Sequence, residues 1–221
     1  MTKTPIIYIG GVPGIGKTSY AAHISKEFGI GILLSGDYMR EFLKGSTISD
    51  SDKEALKYSV YDSWKLFGDK TDENIIKGFM KQGEIVNKGM DALIDRAKAN
   101  GEGMVLESLY FIPEQIKALS DKNVIKFYIY ISDREKHKQR LLERSRYTHP
   151  NSPGDRLAYQ IDIYRKIMEH SLASAKERGI RTFDNTDYMA TRAELVNYIR
   201  GGLTVAERST SAHALSFKEA A

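Results

Sequence analysis

One stretch limits what this chain of 221 residues can fold into: Gly11-Val12-Pro13-Gly14-Ile15-Gly16-Lys17-Thr18. A glycine, four free positions and then Gly-Lys-Thr is the spacing of a phosphate-binding loop. Its flanks are those such a loop needs. Ile6-Ile7-Tyr8-Ile9 is a short apolar run rich in β-branched residues and reads as a buried strand. Ser19 to Phe28 reads as a helix stopped by Gly29. Glycines let the backbone turn tightly and approach a phosphate with no Cβ in the way. Successive N–H groups then form an anion nest, and the helix N-terminus adds its partial positive charge. Gly11, Val12, Pro13, Gly14, Ile15, Gly16, Lys17, Thr18 and Ser19 are therefore the expected nucleotide contacts. Lys17 is a flexible cation suited to the β- and γ-phosphates, and Thr18 carries a hydroxyl suited to Mg²⁺.

The remaining chain alternates strand-like and helix-like segments. Strands are expected at 30–34, 103–107, 124–131 and 180–183, and helices at 38–44, 51–67, 72–99, 113–120, 134–145, 156–178 and 191–200. With the first strand this makes five strands separated by helices, which implies a parallel sheet covered on both faces. The helix over 72–99 contains Gly78, Gly83 and Gly89. Each is unfavourable by about 1 kcal/mol against Ala, so close helix packing or a substrate against that backbone must account for them. Residues 1–200 read as one domain and 201–221 as a peripheral or disordered tail.

In a parallel sheet, ligands bind at the carboxyl ends of the strands. This draws Asp37, Glu107, Asp133 and Asp184 to one edge. Asp37 can act as general base to an attacking hydroxyl, or merely cap the helix it opens. Arg40, one turn on, can clamp an anionic substrate, or be a solvated helix residue. Glu107 closes an apolar strand and can hold Mg²⁺ or its water, with a structural ion pair as the alternative. Arg140 and the Asp184-Asn185 pair are placed around the nucleotide. The Pro- and Gly-rich segment Tyr147 to Gly154 is the strongest turn cluster, bracketed by Arg144, Arg146 and Arg156. Arginines on such a lid, about 143–156, can stabilise charge on a transferring phosphoryl group and exclude water. Arg144 and Arg146 are assigned to that step, and Tyr147, His149 and Arg156 to the substrate. The five His residues show no metal spacing and are otherwise read as structural.

Composition narrows the classes. The chain has no Cys, which excludes disulfides and a Cys nucleophile. No apolar run reaches the length of a membrane span, and no signal-peptide layout opens the chain, so a cytoplasmic protein is the expectation. A net charge of +4 suits an anionic small molecule and is no footprint for nucleic acid. A homo-oligomer is left open.

Four strings carry a resemblance: Gly-Gly-Val-Pro-Gly-Ile-Gly-Lys-Thr, Leu-Ser-Gly-Asp-Tyr-Met-Arg-Glu, Leu-Glu-Ser-Leu-Tyr-Phe-Ile-Pro and Arg-Ser-Arg-Tyr-Thr-His. Together they resemble the archaeal 2-phosphoglycerate kinase-like P-loop kinases. The loop alone is shared by many NTPases. The Asp-x-x-Arg element after the second strand and the Glu of the third are more telling. The resemblance implies a nucleoside monophosphate kinase-like α/β fold with an arginine-bearing lid. It also implies ATP, Mg²⁺ and phosphoryl transfer to a hydroxyl of a phosphorylated acid, with no membrane or nucleic-acid partner. An extra N-terminal region like that of the family's named enzyme is not expected here, and this puts mevalonate 3-phosphate ahead of 2-phosphoglycerate as expected acceptor. An RNA-directed kinase and a non-catalytic nucleotide switch are the competing classes.

Overall fold

The structure is a computed structural model describing residues 5–46, 49–146, 150–151 and 154–218, with side chains of the last helix described as far as Leu203. Among the described residues five parallel strands form one sheet: β1 (Ile6–Gly10), β2 (Ile32–Ser35), β3 (Met104–Ser108), β4 (Val124–Tyr130) and β5 (Arg181–Asp184), in the order β2-β3-β1-β4-β5. β1 is buried throughout, as an apolar run at the centre of a parallel sheet must be. The helices are α1 (Lys17–Glu27), α2 (Gly36–Gly45), α3 (Asp50–Lys57), α4 (Asp72–Asn100), α5 (Arg134–Glu143), α6 (Gly154–Tyr159), α7 (Ile161–Glu177) and α8 (Tyr188–Lys218).

Strand register aligns the carboxyl ends. Gly10 pairs with both Ser108 and Tyr128, and Glu107 pairs with both Ile9 and Ser35. The loop after β1, the carboxylate ending β3 and the start of α2 therefore reach one level of the sheet edge. An added Cβ at Gly36 would lie 2.9 Å from the Ser108 Cβ, so only glycine lets α2 begin this close to β3.

The three glycines of α4 serve packing. A Cβ at Gly78 would lie 2.6 Å from the Ser63 carbonyl oxygen, one at Gly83 2.6 Å from Gln115 Oε1, and one at Gly89 2.9 Å from Met39 Sδ. Packing, not a substrate against the backbone, accounts for them.

Four of the expected helices differ in form or extent. The one expected over 113–120 is two short 3₁₀ helices, Pro113–Gln115 and Lys117–Ser120, parted at Ile116. The helix expected over 51–67 stops at Lys57 and resumes as a 3₁₀ helix at Val60–Leu66. The break is held from outside. Gln82 Nε2 donates to the Ala55 and Tyr58 carbonyls at 2.8 Å, and the Arg40 guanidinium donates to those of Leu56 and Tyr58. The helix expected over 156–178 is split at Gln160 into α6 and α7. The last helix, expected to stop at Arg200, continues to Lys218. Beyond Gly202 the sequence holds no Gly or Pro, so no strong breaker ends it. No helix among the described residues is long and apolar enough to cross a membrane.

Candidate active site

The loop between β1 and α1 is built to accept an anion. α1 opens at Gly16, which lies at φ +95° and offers no side-chain cap, and its first turn holds no acidic residue. Ser35, Ser49, Thr71 and Asp133 each cap their helix with a side-chain oxygen. The first N–H groups of α1 lack such a partner, and a phosphate is the natural one. The loop carbonyls are meanwhile bound by side chains: Lys17 Nζ donates to Val12 O at 3.2 Å, Asn185 Nδ2 donates to Ile15 O at 2.7 Å, and His137 Nε2 lies 2.8 Å from Pro13 O. Carbonyls engaged in this way leave the N–H groups to form the nest.

Lys17 and Glu107 are both buried, and their charged atoms lie 3.7 Å apart. Thr18 Oγ1 donates to the other Glu107 oxygen at 3.3 Å. A buried ion pair is weak evidence for stability, because desolvation offsets much of its attraction. Here the pair holds a lysine beside the nest and a carboxylate beside a hydroxyl. Hydroxyl, carboxylate and nucleotide oxygens fit the oxygen-rich coordination of Mg²⁺.

Asp37 is not the N-cap of α2. Ser35 fills that role, accepting from the Asp37 N–H at 3.3 Å. Asp37 is exposed to solvent yet closely surrounded by protein. Burial pushes its carboxyl above the usual carboxylate range, Lys17 pulls it back, Glu107 pushes it up further, and Arg40 and Arg144 pull it down. Lys17, Glu107, Arg40 and Arg144 thus all act on the Asp37 carboxyl. Arg144, at the C-cap of α5, is half-buried, feels Tyr164 and Asp37 as attractive partners, and is opposed by Arg156.

Other expected site residues are placed differently. Arg40 is engaged by the carbonyls of Leu56 and Tyr58 and by Glu41, so it braces α2 against α3. Asn185 is fully buried; it holds the Ile15 carbonyl and accepts from Tyr20 Oη at 2.7 Å. It supports the loop from behind. Asp184 Oδ1 accepts from Ser132 N, Thr186 N and Thr186 Oγ1, which ties β4 to the turn after β5. Arg140 reaches that turn through the Thr186 carbonyl at 3.5 Å. Arg146 is exposed, 3.9 Å from Glu143, and Arg156 is exposed within electrostatic reach of Arg144. Tyr147 and His149 lie outside the described residues.

Sequence reasoning passed over an aromatic wall beside Asp37. Tyr164 lies within electrostatic reach of Asp37, Arg144 and Tyr110, and packs edge-on against Tyr61 at 6.2 Å. Tyr110 Oη donates to Gln82 Oε1 at 2.8 Å. Only Tyr110 carried a signal, two residues past the strand that ends at Ser108. A cleft of about 450 Å³ lined by His23, Met189, Arg192 and Asn197 shares no residue with the loop.

Comparison with known proteins agrees with this geometry. Residues 10–153 match the family model described as AAA domain. The chain is 44% identical over 195 residues to mevalonate-3-phosphate 5-kinase of Thermoplasma acidophilum, covering 88% of this chain and 95% of that enzyme. It is 29% identical to 2-phosphoglycerate kinase of Methanocaldococcus jannaschii, covering 88% of this chain and 62% of that enzyme. Shikimate kinase from Acinetobacter baumannii shares the fold, with a TM-score of 0.50 at 14% identity over 90% of this chain and 95% of that one. The chain is a P-loop kinase, and it belongs to the family that includes mevalonate-3-phosphate 5-kinase and, more distantly, the archaeal 2-phosphoglycerate kinases.

Proposed function

We propose that this protein transfers the γ-phosphoryl group of ATP to the primary hydroxyl of mevalonate 3-phosphate, giving mevalonate 3,5-bisphosphate and ADP. The observation that carries the reading is the 44% identity, over 88% of this chain and 95% of the relative, with a kinase of that name, on a chain whose Asp37 lies within electrostatic reach of Lys17 and Arg144. The acceptor oxygen attacks the γ-phosphorus, its proton passes to the Asp37 carboxylate, and the bond from the γ-phosphorus to the bridging oxygen breaks. Lys17 and the loop N–H groups stabilise charge on the phosphates, and Arg144 does so from the lid side. Thr18 and Glu107 are the residues that would hold Mg²⁺, whose charge would offset that of the phosphates.

The acceptor carries a carboxylate and a phosphate ester, and so needs cationic partners beside the base. Arg40 is committed to backbone carbonyls, which leaves Arg144 and Arg156 as the pair for these anions. An acceptor without its phosphate would leave a partly desolvated arginine unpaired. The test is ATP consumption over a panel: mevalonate 3-phosphate, 2-phosphoglycerate, mevalonate, glycerate and RNA. Turnover confined to the phosphorylated acids is expected. Turnover on the unphosphorylated alcohols or on RNA would overturn the reading.

A further inference from the structure

We infer that His137 is a positioning residue for the nucleotide site: its ring N–H locks the Pro13 carbonyl outward and ties the arginine-bearing lid helix α5 to the phosphate loop. The inference rests on the kinase reading and adds a residue to it.

Three observations converge. His137 is fully buried, and its Nε2 lies 2.8 Å from Pro13 O, across 124 residues of sequence. A carbonyl only accepts, so Nε2 must carry the proton. That leaves Nδ1 as an acceptor, and Nδ1 is buried without a hydrogen-bond partner. The ring is therefore the neutral Nε2–H tautomer, and burial agrees by lowering its pKa to about 4. Second, the contact sits where the loop touches α5. Gly14 lies at φ +81°, and a Cβ there would meet Leu141 Cδ2 at 2.7 Å and His137 Cδ2 at 3.3 Å. Third, the other two engaged carbonyls are held differently. Val12 is held by Lys17, whose charge is suited to the phosphates, and Ile15 by Asn185, from the turn after β5. His137 alone of the three donors belongs to the helix that carries Arg140 and runs into Arg144.

The physical consequence concerns the nest. Without a donor, the Pro13 carbonyl can rotate toward the anion, where its negative end opposes a phosphate. The same hydrogen bond sets where α5 stands relative to the loop, and with it the distance from Arg144 to the γ-phosphate. Loss of the donor should weaken nucleotide binding, and ATP affinity measured without acceptor reads that effect alone.

The test compares His137→Phe, which keeps a planar ring and removes the donor, with His137→Gln, whose amide N–H can reach the same carbonyl. Direct binding of ATP by titration calorimetry needs no acceptor. If the wild-type protein fails to bind ATP, the kinase reading itself fails. If it binds, His137→Phe should raise Kd for ATP about tenfold, with recovery in His137→Gln. A Kd unchanged in His137→Phe overturns the inference. So does an equal loss in Phe and Gln variants, which would mean shape and not the hydrogen bond. Should His137→Phe not fold, His137→Asn replaces it. Its amide is too short to reach Pro13, so Asn should lose affinity while Gln keeps it, and equal affinity in the two overturns the inference.

Discussion

Replacing Asp37 with Asn separates chemistry from stability, because the structure moves the two in opposite directions. Asn keeps the size and polarity of the side chain and removes the ability to accept a proton. Loss of a general base costs about 10²–10⁴ in rate, so kcat should fall by that factor while the Kd for ATP stays within a few-fold. Stability should not fall. The helix cap belongs to Ser35, so no capping bond is lost. The Asp37 carboxyl is raised above its ordinary value, chiefly by burial and with Glu107 adding to it. A group with a raised folded pKa favours folding while protonated, and that contribution is lost as pH rises through the folded value. At neutral pH the ionised carboxylate is therefore a stability cost, and the Asn variant should melt no lower than wild type, with its advantage growing as pH increases. The pH profile gives a second reading: kcat/KM of wild type should climb with pH through a value above the usual carboxylate range, and the residual activity of the Asn variant should lack that limb. The assays are steady-state kinetics and calorimetric melting on the same preparations. A kcat within threefold of wild type together with a lowered midpoint would refute the base assignment and make Asp37 a structural residue.

Two further predictions use contrasts within the molecule. Arg144→Lys should lower kcat clearly with little change in ATP affinity, because lysine keeps charge and loses the planar fork. Arg146→Lys, on an exposed side chain beside Glu143, should change little, and equal effects from the two would mean that only general charge matters. The buried neutral His137 should make the protein acid-sensitive. Its pKa is lowered to about 4 by burial, with Arg165, Arg140 and Lys17 adding to the effect. Stability is then intact above the unfolded value near 6.5 and lost as pH falls from there toward about 4, by roughly 3 kcal/mol. Melting across that window should fall faster in wild type than in His137→Gln, and parallel curves would contradict the assignment.

Much of the fold was legible because its signals are local. The loop motif, the apolar run of β1 and the periodicity of α4 each announce an element from a dozen residues or so. What was hidden is set by contacts distant in sequence. The break after Lys57 is held by Arg40 and by Gln82, 24 residues from the Tyr58 carbonyl that it binds. The meeting of Lys17, Thr18, Glu107 and Asp37 at one sheet edge could be read from strand ends, because a parallel sheet gathers them. Arg40 and Asn185 have the right chemistry for a ligand, yet the backbone takes their hydrogen bonds. His137 stood in a plain helical stretch, and nothing in its spacing marked its contact with Pro13.

The central claim is the acceptor, and the most direct measurement is kcat/KM for mevalonate 3-phosphate and 2-phosphoglycerate, side by side, with ATP and Mg²⁺. Both have a carboxylate, an interior phosphate ester and a primary hydroxyl, so the charged contacts are shared. They differ in a methyl group and in reach, a difference that apolar contact reads at about 1–3 kcal/mol. That is about 10- to 200-fold in specificity, and the account predicts a preference for mevalonate 3-phosphate in that range. A preference of the same size for 2-phosphoglycerate would contradict the assignment.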